Sequence, residues 1–364
     1  PALARQESRT ILMAQSGSRP GEGVELVMDY VTVNGNVTNL VLAGDQTYYV
    51  SGPTYVYGAA NVLEGGAVVK YAKNADAQLR YNSPLECRTA PYRPAVFTAK
   101  DDDTVGQTIS GSSGNPSGYY PYAAMSFFNK MQPVVLHDLR VSYANYGLLI
   151  PWGGPYAHVI RNSQFVRNYT GVYVDYTSVP TTLQNVLLHR SGLRAVYGYE
   201  AIVCGENLTI HEAYRAFDGG TVSVTNSLLV AVTNWPTAFT SVNNVTNASG
   251  AGVFQTVGAG AHYLVDGSTN RNAGTTNINA DLLADLGQRT TYPPVVLSNV
   301  TITASTNLLP QAQRDTDIPD RGYHYDPIDV LMNSVNVTNA TMSLTNGAVM
   351  AVYGVNSGAG LRLR

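Results

Sequence analysis

Only two of the 364 residues are cysteine, Cys87 and Cys204. That excludes a dense disulfide framework and leaves two free buried thiols as the expected state, with one long-range bridge as the alternative. Charge is scarce too. Asp, Glu, Lys and Arg make up 13% of the chain, about half the usual share. Lys and Arg number 22 against 25 Asp and Glu, for a formal charge of −3 with no basic run, so nothing marks a nucleic-acid partner. No apolar run approaches the roughly 18 residues of a membrane-spanning helix. A Ser-His-Asp order, a nucleophile elbow, a phosphate loop, a Cys-x-x-Cys pair and a zinc-protease motif are all missing. Long helical periodicity is missing as well, which disfavours helical solenoids. The chain starts at Pro1 with no signal-peptide pattern, as expected of a processed or trimmed product whose export signal is gone.

What is present in quantity is Tyr, at 25 copies, and Gly, at 34, together with many Asn and Thr. Low charge with this composition reads as an exported, strand-rich protein. Internal repetition is the stronger signal. Six segments align: "VLHDLRV", "VIRNSQF", "TLQNVLL", "CGENLTI", "SVTNSLL" and "VLSNVTI". Each carries Asp or Asn at its fourth place, namely Asp138, Asn162, Asn185, Asn207, Asn226 and Asn299. Three residues on, each has an apolar residue: Val141, Phe165, Leu188, Ile210, Leu229 and Ile302. Two residues before the anchor, five of the six are apolar (Leu136, Ile160, Leu183, Val224 and Leu297), with Gly205 the exception. Over the first five anchors the interval shortens a little from each to the next, and weaker matches surround Asn39 and Asn339.

A period of about 22 with short alternating strands fits a β-solenoid. Alternation turns every second side chain inward. Asn and Asp suit a sharp corner because both tolerate the left-handed conformation. Stacked about 4.8 Å apart, their side chains can also bond along the axis. A second strand follows each anchor: "GLLI" (147–150), "GVYV" (171–174), "RAVY" (194–197) and "YRAF" (214–217). Leucine-rich repeats have a similar period, but the Leu-x-x-Leu-x-Leu signature is missing.

This ladder, with its short second strands, resembles the right-handed parallel β-helix of the pectin-lyase-like superfamily, from about Leu136 to Leu229 and again at Val295–Ile302. Residues 47–72 resemble the entry coils of such proteins. The stretch "DIPDRGYHYDPIDV" (317–330) resembles the end segment of bacterial secreted β-helix repeat proteins. The expected fold is therefore all-β, a parallel β-helix with an N-terminal cap and loop insertions. Residues 1–30 are expected to be the cap or an extension, 31–329 the β-helix, and 330–364 further strands that begin a new module or serve assembly. Residues 99–110 and 250–290 fit no coil and read as loops.

Eight formal glycosylation sequons occur, at Asn36, Asn168, Asn207, Asn244, Asn247, Asn299, Asn336 and Asn339. Three of them, Asn207, Asn299 and Asn339, sit on ladder anchors, where a Thr two places on is an ordinary strand residue. Asn168 and Asn244 lie off the ladder and read as the better acceptors.

Four sets of residues are candidates for chemistry. Tyr173, Arg194 and Arg215 are equally spaced along the chain and are expected in one outward column, with Asp175 and Asp218 nearby. The resemblance implies a groove for polysaccharide on such a face. A lyase there would use Arg194 as base or clamp, Arg215 as clamp and Asp175 as a metal ligand; an ordinary charged outer face is the alternative. The paired carboxylates of a hydrolase are not visible. His189 and His211, each four places after an anchor, are expected to stack outward and could share a metal, but no third ligand is evident from spacing, although Glu212 and Arg190 sit beside them; a surface polar ladder is the favoured account. Asp101, Asp102 and Asp103 form an acidic loop that could take Ca²⁺, or simply be a solvated tip. Finally, the aromatic run 117–128, with Trp152 and Tyr156, could stack on sugar or cap the coil.

The sequence thus points to an exported structural or glycan-binding protein of a cell surface or extracellular assembly. Its partners would be like subunits, meeting through the coil ends, or surface polysaccharide. The alternative is a lyase acting on an acidic polysaccharide.

Overall fold

The computed structural model describes residues 30–128, 132–354 and 360–363. Apart from Tyr30, the expected N-terminal cap lies outside the described residues. The protein is nearly all β, with twenty strands joined in one large sheet by parallel pairing. Such an arrangement is compatible with a solenoid. The helix Ala280–Leu286 is short, capped by the Asn279 side chain, which accepts from the backbone N–H groups of Asp281 and Leu282. No helix among the described residues is long and apolar enough to cross a membrane.

The register of the sheet follows the repeat read from the sequence. Leu136, Ile160, Leu183, Gly205 and Val224 are successive partners. So are Val141, Phe165, Leu188, Ile210 and Leu229. Every member of the second row is buried, none more than 1% exposed. Each fully buried apolar side chain contributes about 1.5–3 kcal/mol, well above the spread of strand propensities. A slip by one residue would turn the whole row to solvent, so this inward row fixes the register. The long strand Thr47–Tyr57 shows the same alternation of buried and half-buried side chains.

All the ladder anchors are left-handed: φ is +48° at Asp138, +52° at Asn162 and Asn185, and +53° at Asn207 and Asn226. Asn39, Asn299 and Asn339 share the conformation. Two further corner rows do as well. One runs through Tyr143, Arg167, Arg190, Glu212 and Ala231, the other through Trp152, Tyr176 and Glu200. These residue types carry no left-handed preference, so the rows do not stand out in the sequence.

One apolar core runs from Val33 to Leu229. A smaller cluster of Leu228, Val230, Val253 and Leu264 seats a hairpin, and a third, around Leu308, Val330, Met332 and Val335, lies in the C-terminal strands. There, Val295–Ser298, Thr301–Ile302 and Thr306–Leu308 pair in parallel with Val330–Asn333, Val335–Val337 and Met342–Leu344.

Residues 250–290 are not simply a loop. They hold an antiparallel hairpin, Phe254–Val257 with Gly260–Leu264, and the helix. Parts of the chain between 270 and 326 lie across the Asn ladder. Asn226 exchanges hydrogen bonds with Thr275 at 2.8 Å in both directions. Asn207 donates to the Asp320 carbonyl at 2.9 Å. Asn185 donates to the His324 carbonyl at 3.0 Å and accepts from its N–H at 2.7 Å. Arg289 reaches Asp326 at 2.6 Å and Asp138 at 3.6 Å. The ladder side chains therefore also hold a strap. Only part of the expected axial bonding occurs, as in Asn185 to Asn162 at 3.0 Å.

Candidate functional site

Away from the strap, the second strands of successive rungs carry a line of rings. Tyr122, Tyr146, Tyr173 and Tyr197 follow one another at centroid separations of 5.3, 5.5 and 4.8 Å. Tyr122 is 43% exposed and the other three are half-buried. Neighbouring rings meet edge to face, the arrangement their quadrupoles favour. The Arg194 guanidinium lies 4.2 Å over the Tyr197 ring and ends the line.

The expected column of Tyr173, Arg194 and Arg215 is corrected by the register. Arg194 does pair with Arg215, but Tyr173 pairs with Tyr197, and Arg194 with Thr170. The rung from Tyr173 to Tyr197 is longer than equal spacing would make it, because a longer turn follows Asp175. The recurring Val-Tyr of Val172-Tyr173 and Val196-Tyr197 carries the true alignment. Tyr197, unnoticed in the sequence, belongs to the site.

Asp218 organises the charged end. It accepts from Arg194 Nε and, at 2.6 Å, from Arg215 Nη1. Burial pushes its carboxyl up, but the two guanidinium groups more than offset this and hold it below the usual carboxylate range. Arg215 is in turn held more firmly protonated, first by its bond to Asp218. Asp175 is buried. It accepts from the Trp152 backbone N–H and, at 3.1 Å, from the Tyr173 hydroxyl. Burial and this carboxylate raise the Tyr173 hydroxyl well above the phenol range. Asp175 thus braces the corner at Trp152, and its two oxygens are both engaged. Trp152 is 50% exposed, 6.4 Å from Phe128; Tyr156 is half-buried four residues on. A second exposed pair, Tyr176 and Tyr199, lies 5.3 Å apart.

The aromatic run 117–128 divides between the two roles considered for it. Tyr120 and Phe127 are buried, whereas Tyr122 joins the exposed line. The Tyr120 hydroxyl donates to Asp101 at 2.6 Å and is pushed up to about 12, by burial first and then by that bond. In the acidic turn each carboxylate has a local donor. Asp101 accepts from the Ser113 N–H at 2.7 Å, Asp102 from Thr98 Oγ1 at 2.7 Å, and Asp103 from Ser112 Oγ at 2.9 Å. The fully buried Lys70 supplies positive charge nearby. Burial pushes its ammonium down, and Asp103 and Asp102 partly restore it.

Both thiols are free and half-buried. Asn207 is fully buried and bonded to the strap, as a ladder residue should be. Asn168, expected as an accessible sequon, is instead 1% exposed, donating to the Val141 carbonyl and accepting from the Ala144 N–H. It forms an inner polar rung that spacing from the outer ladder did not reveal.

Among the described residues, two groups bring three potential metal-ligating side chains together. Asp315, Asp320 and His324 are buried within the strap itself, with His324 Nε2 2.7 Å from Asp315 Oδ2 and Thr291 donating to Asp320. The other is His189, His211 and His262. The first two stack as expected, 5.0 Å apart and 7° from parallel; the third arrives on the hairpin. No family model, curated protein or solved structure matches the chain.

Proposed function

We propose that the chain is a right-handed parallel β-helix of the pectin-lyase-like type, exported to a cell surface or extracellular assembly, and that it acts there as a structural, glycan-binding protein. The observation that carries this reading is the uncovered line Tyr122–Tyr146–Tyr173–Tyr197, closed by Arg194. Ring edges and faces repeated once per rung suit the apolar faces of successive sugars. The pair Arg194 and Arg215 outweighs the single charge of Asp218 they share. A guanidinium that keeps free N–H groups recognises carboxylate or sulfate in a forked geometry. The favoured ligand is therefore an acidic polysaccharide.

Lyase chemistry needs a base next to the sugar carboxylate. Arg194 and Arg215 both donate to Asp218, which suits a clamp and works against a base. Like subunits remain the proposed second partner, through the end strands; among the described residues Val31–Thr38 pairs on one side only, and Val31 is exposed.

The test is affinity electrophoresis on acidic and neutral polysaccharides, with unsaturated products followed in parallel. Binding to an acidic chain that is lost in a Tyr173→Ala, Tyr197→Ala double variant is the expected result. Unsaturated product that disappears in Arg194→Ala, Arg215→Ala would replace this reading with the lyase. Failure to retain any polysaccharide would remove the glycan half of it.

A further inference from the structure

We propose that His189, His211 and His262, with Glu212 at the mouth, form a binding site for a borderline transition-metal ion, with Zn²⁺ as the best-fitting member of the class. The proposal is independent of the glycan reading and uses a different face of the molecule.

The site is assembled from two directions. His189 and His211 are register partners on adjacent rungs, which sets their rings in parallel. His262 comes from the hairpin strand Gly260–Leu264, whose Leu264 is anchored in the small apolar cluster with Leu228 and Val230. The backbone N–H of His262 is held by the Tyr325 hydroxyl at 3.1 Å. The ring meets His189 at 4.6 Å and His211 at 5.1 Å, nearly perpendicular to both. Its Nε2 lies 3.0 Å from His211 Nδ1. One ligand nitrogen from each of the three falls within 4.8 Å of the others. Glu212 adds an oxygen 3.3 Å from His189 Nε2; its other oxygen faces His211 Nε2, the nitrogen turned away from His262, so His211 would ligate through Nδ1.

Bonds of about 2.0–2.1 Å to a tetrahedral Zn²⁺ put neighbouring donors roughly 3.3–3.4 Å apart. The present separations bracket that value, and closure on an ion needs side-chain shifts on the order of 1 Å. Imidazole nitrogens with one carboxylate suit Zn²⁺ and its neighbours, whereas Ca²⁺ and Mg²⁺ require oxygen ligands. The rings are available. Burial, and then mutual repulsion, hold His189 down at about 4 and His262 at about 3, and burial lowers His211. Arg190 donates to Glu212 at 2.6 Å, the kind of outer contact that orients a ligating carboxylate. With His262 buried and Glu212 41% exposed, the ion would enter past the glutamate. Once bound, it would fasten the hairpin to the sheet.

The test is titration of chelator-treated protein with Zn²⁺ by calorimetry, paired with visible absorption on Co²⁺ substitution and with thermal melts. Wild type should take up one ion per chain, show tetrahedral Co²⁺ bands and melt higher with Zn²⁺. Affinity should fall at least 100-fold in His262→Ala and about tenfold in Glu212→Gln. Because His262→Ala could loosen the hairpin, His189→Asn on the firm strand serves as the second variant and should match it. Excess Ca²⁺ should leave the Co²⁺ bands unchanged; their loss to Ca²⁺ would count against an imidazole site. Absence of Zn²⁺ uptake by folded wild type, or undiminished affinity in both histidine variants, would overturn the proposal.

Discussion

The two long faces of this molecule share a backbone and differ in what lies on them. On the ladder face, Asn185, Asn207 and Asn226 give their side-chain bonds to a strap from distant sequence. On the tyrosine face, Tyr122, Tyr146, Tyr173 and Tyr197 touch mainly one another. The first face has used its polar groups in folding. The second keeps its rings and guanidinium groups partly exposed.

Substitutions can test how sharp that division is. The largest effect is expected at Arg289, whose buried guanidinium joins Asp285, Asp326 and Asp138. Arg289→Ala leaves the buried Asp138 and the half-buried Asp285 and Asp326 without their counter-ion and should cost about 3–5 kcal/mol, read as a drop in the urea midpoint, with no loss of any glycan binding in the protein that remains folded. Next is Asn207→Ala, which removes the strap bond and forces alanine into a left-handed corner. We expect a loss of roughly 2–4 kcal/mol, and Asn207→Gly should recover the conformational part. On the other face, Tyr173→Ala and Tyr197→Ala should each cost about 1–2 kcal/mol for half-buried rings yet abolish polysaccharide retention. If they instead destabilise as much as Arg289→Ala, the open face is a structural spine and the contrast fails.

The narrowest test, a pH dependence, concerns Asp329. Burial raises its carboxyl, but Arg314 and the N–H groups of Val349, Gln311 and Ala312 more than offset this, so its folded pKa lies below 3.8. The unfolded chain then binds the proton more readily. The stabilisation is present above about pH 4 and is lost as pH falls through the lower folded value. Acid melts of wild type against Asp329→Asn should converge as pH drops below about 4; a constant gap would rule out this linkage.

Much of the fold was legible because inward apolar residues and left-handed Asn recur together: Phe165 three places after Asn162, and Leu188 three after Asn185. The second strands were legible as strands but not in register. Their outward residues are unconstrained by packing, and turns of different length separate them. Counting equal intervals therefore joined Tyr173 to Arg194, when the repeated Val-Tyr would have joined it to Tyr197. The strap and His262 were illegible for another reason. Residues 270–290, residues 309–326 and the hairpin obey no period, and which rung they cross is decided by tertiary contacts such as His324 with Asn185. The histidine pair could be read from the repeat; its third member could not.

The corner rows have one more consequence. Tyr143, Arg167, Arg190, Glu212 and Ala231 each follow their ladder anchor at the same fixed offset, although the interval from anchor to anchor shortens from rung to rung. Length variation is thus confined to one part of the circuit. That makes this stretch the natural place for insertions to accumulate: chain can be added or removed beyond the second corner while the inward rows Leu136–Val224 and Val141–Leu229 stay in step. A protein built this way can vary the rim of its surface from rung to rung without renegotiating its interior.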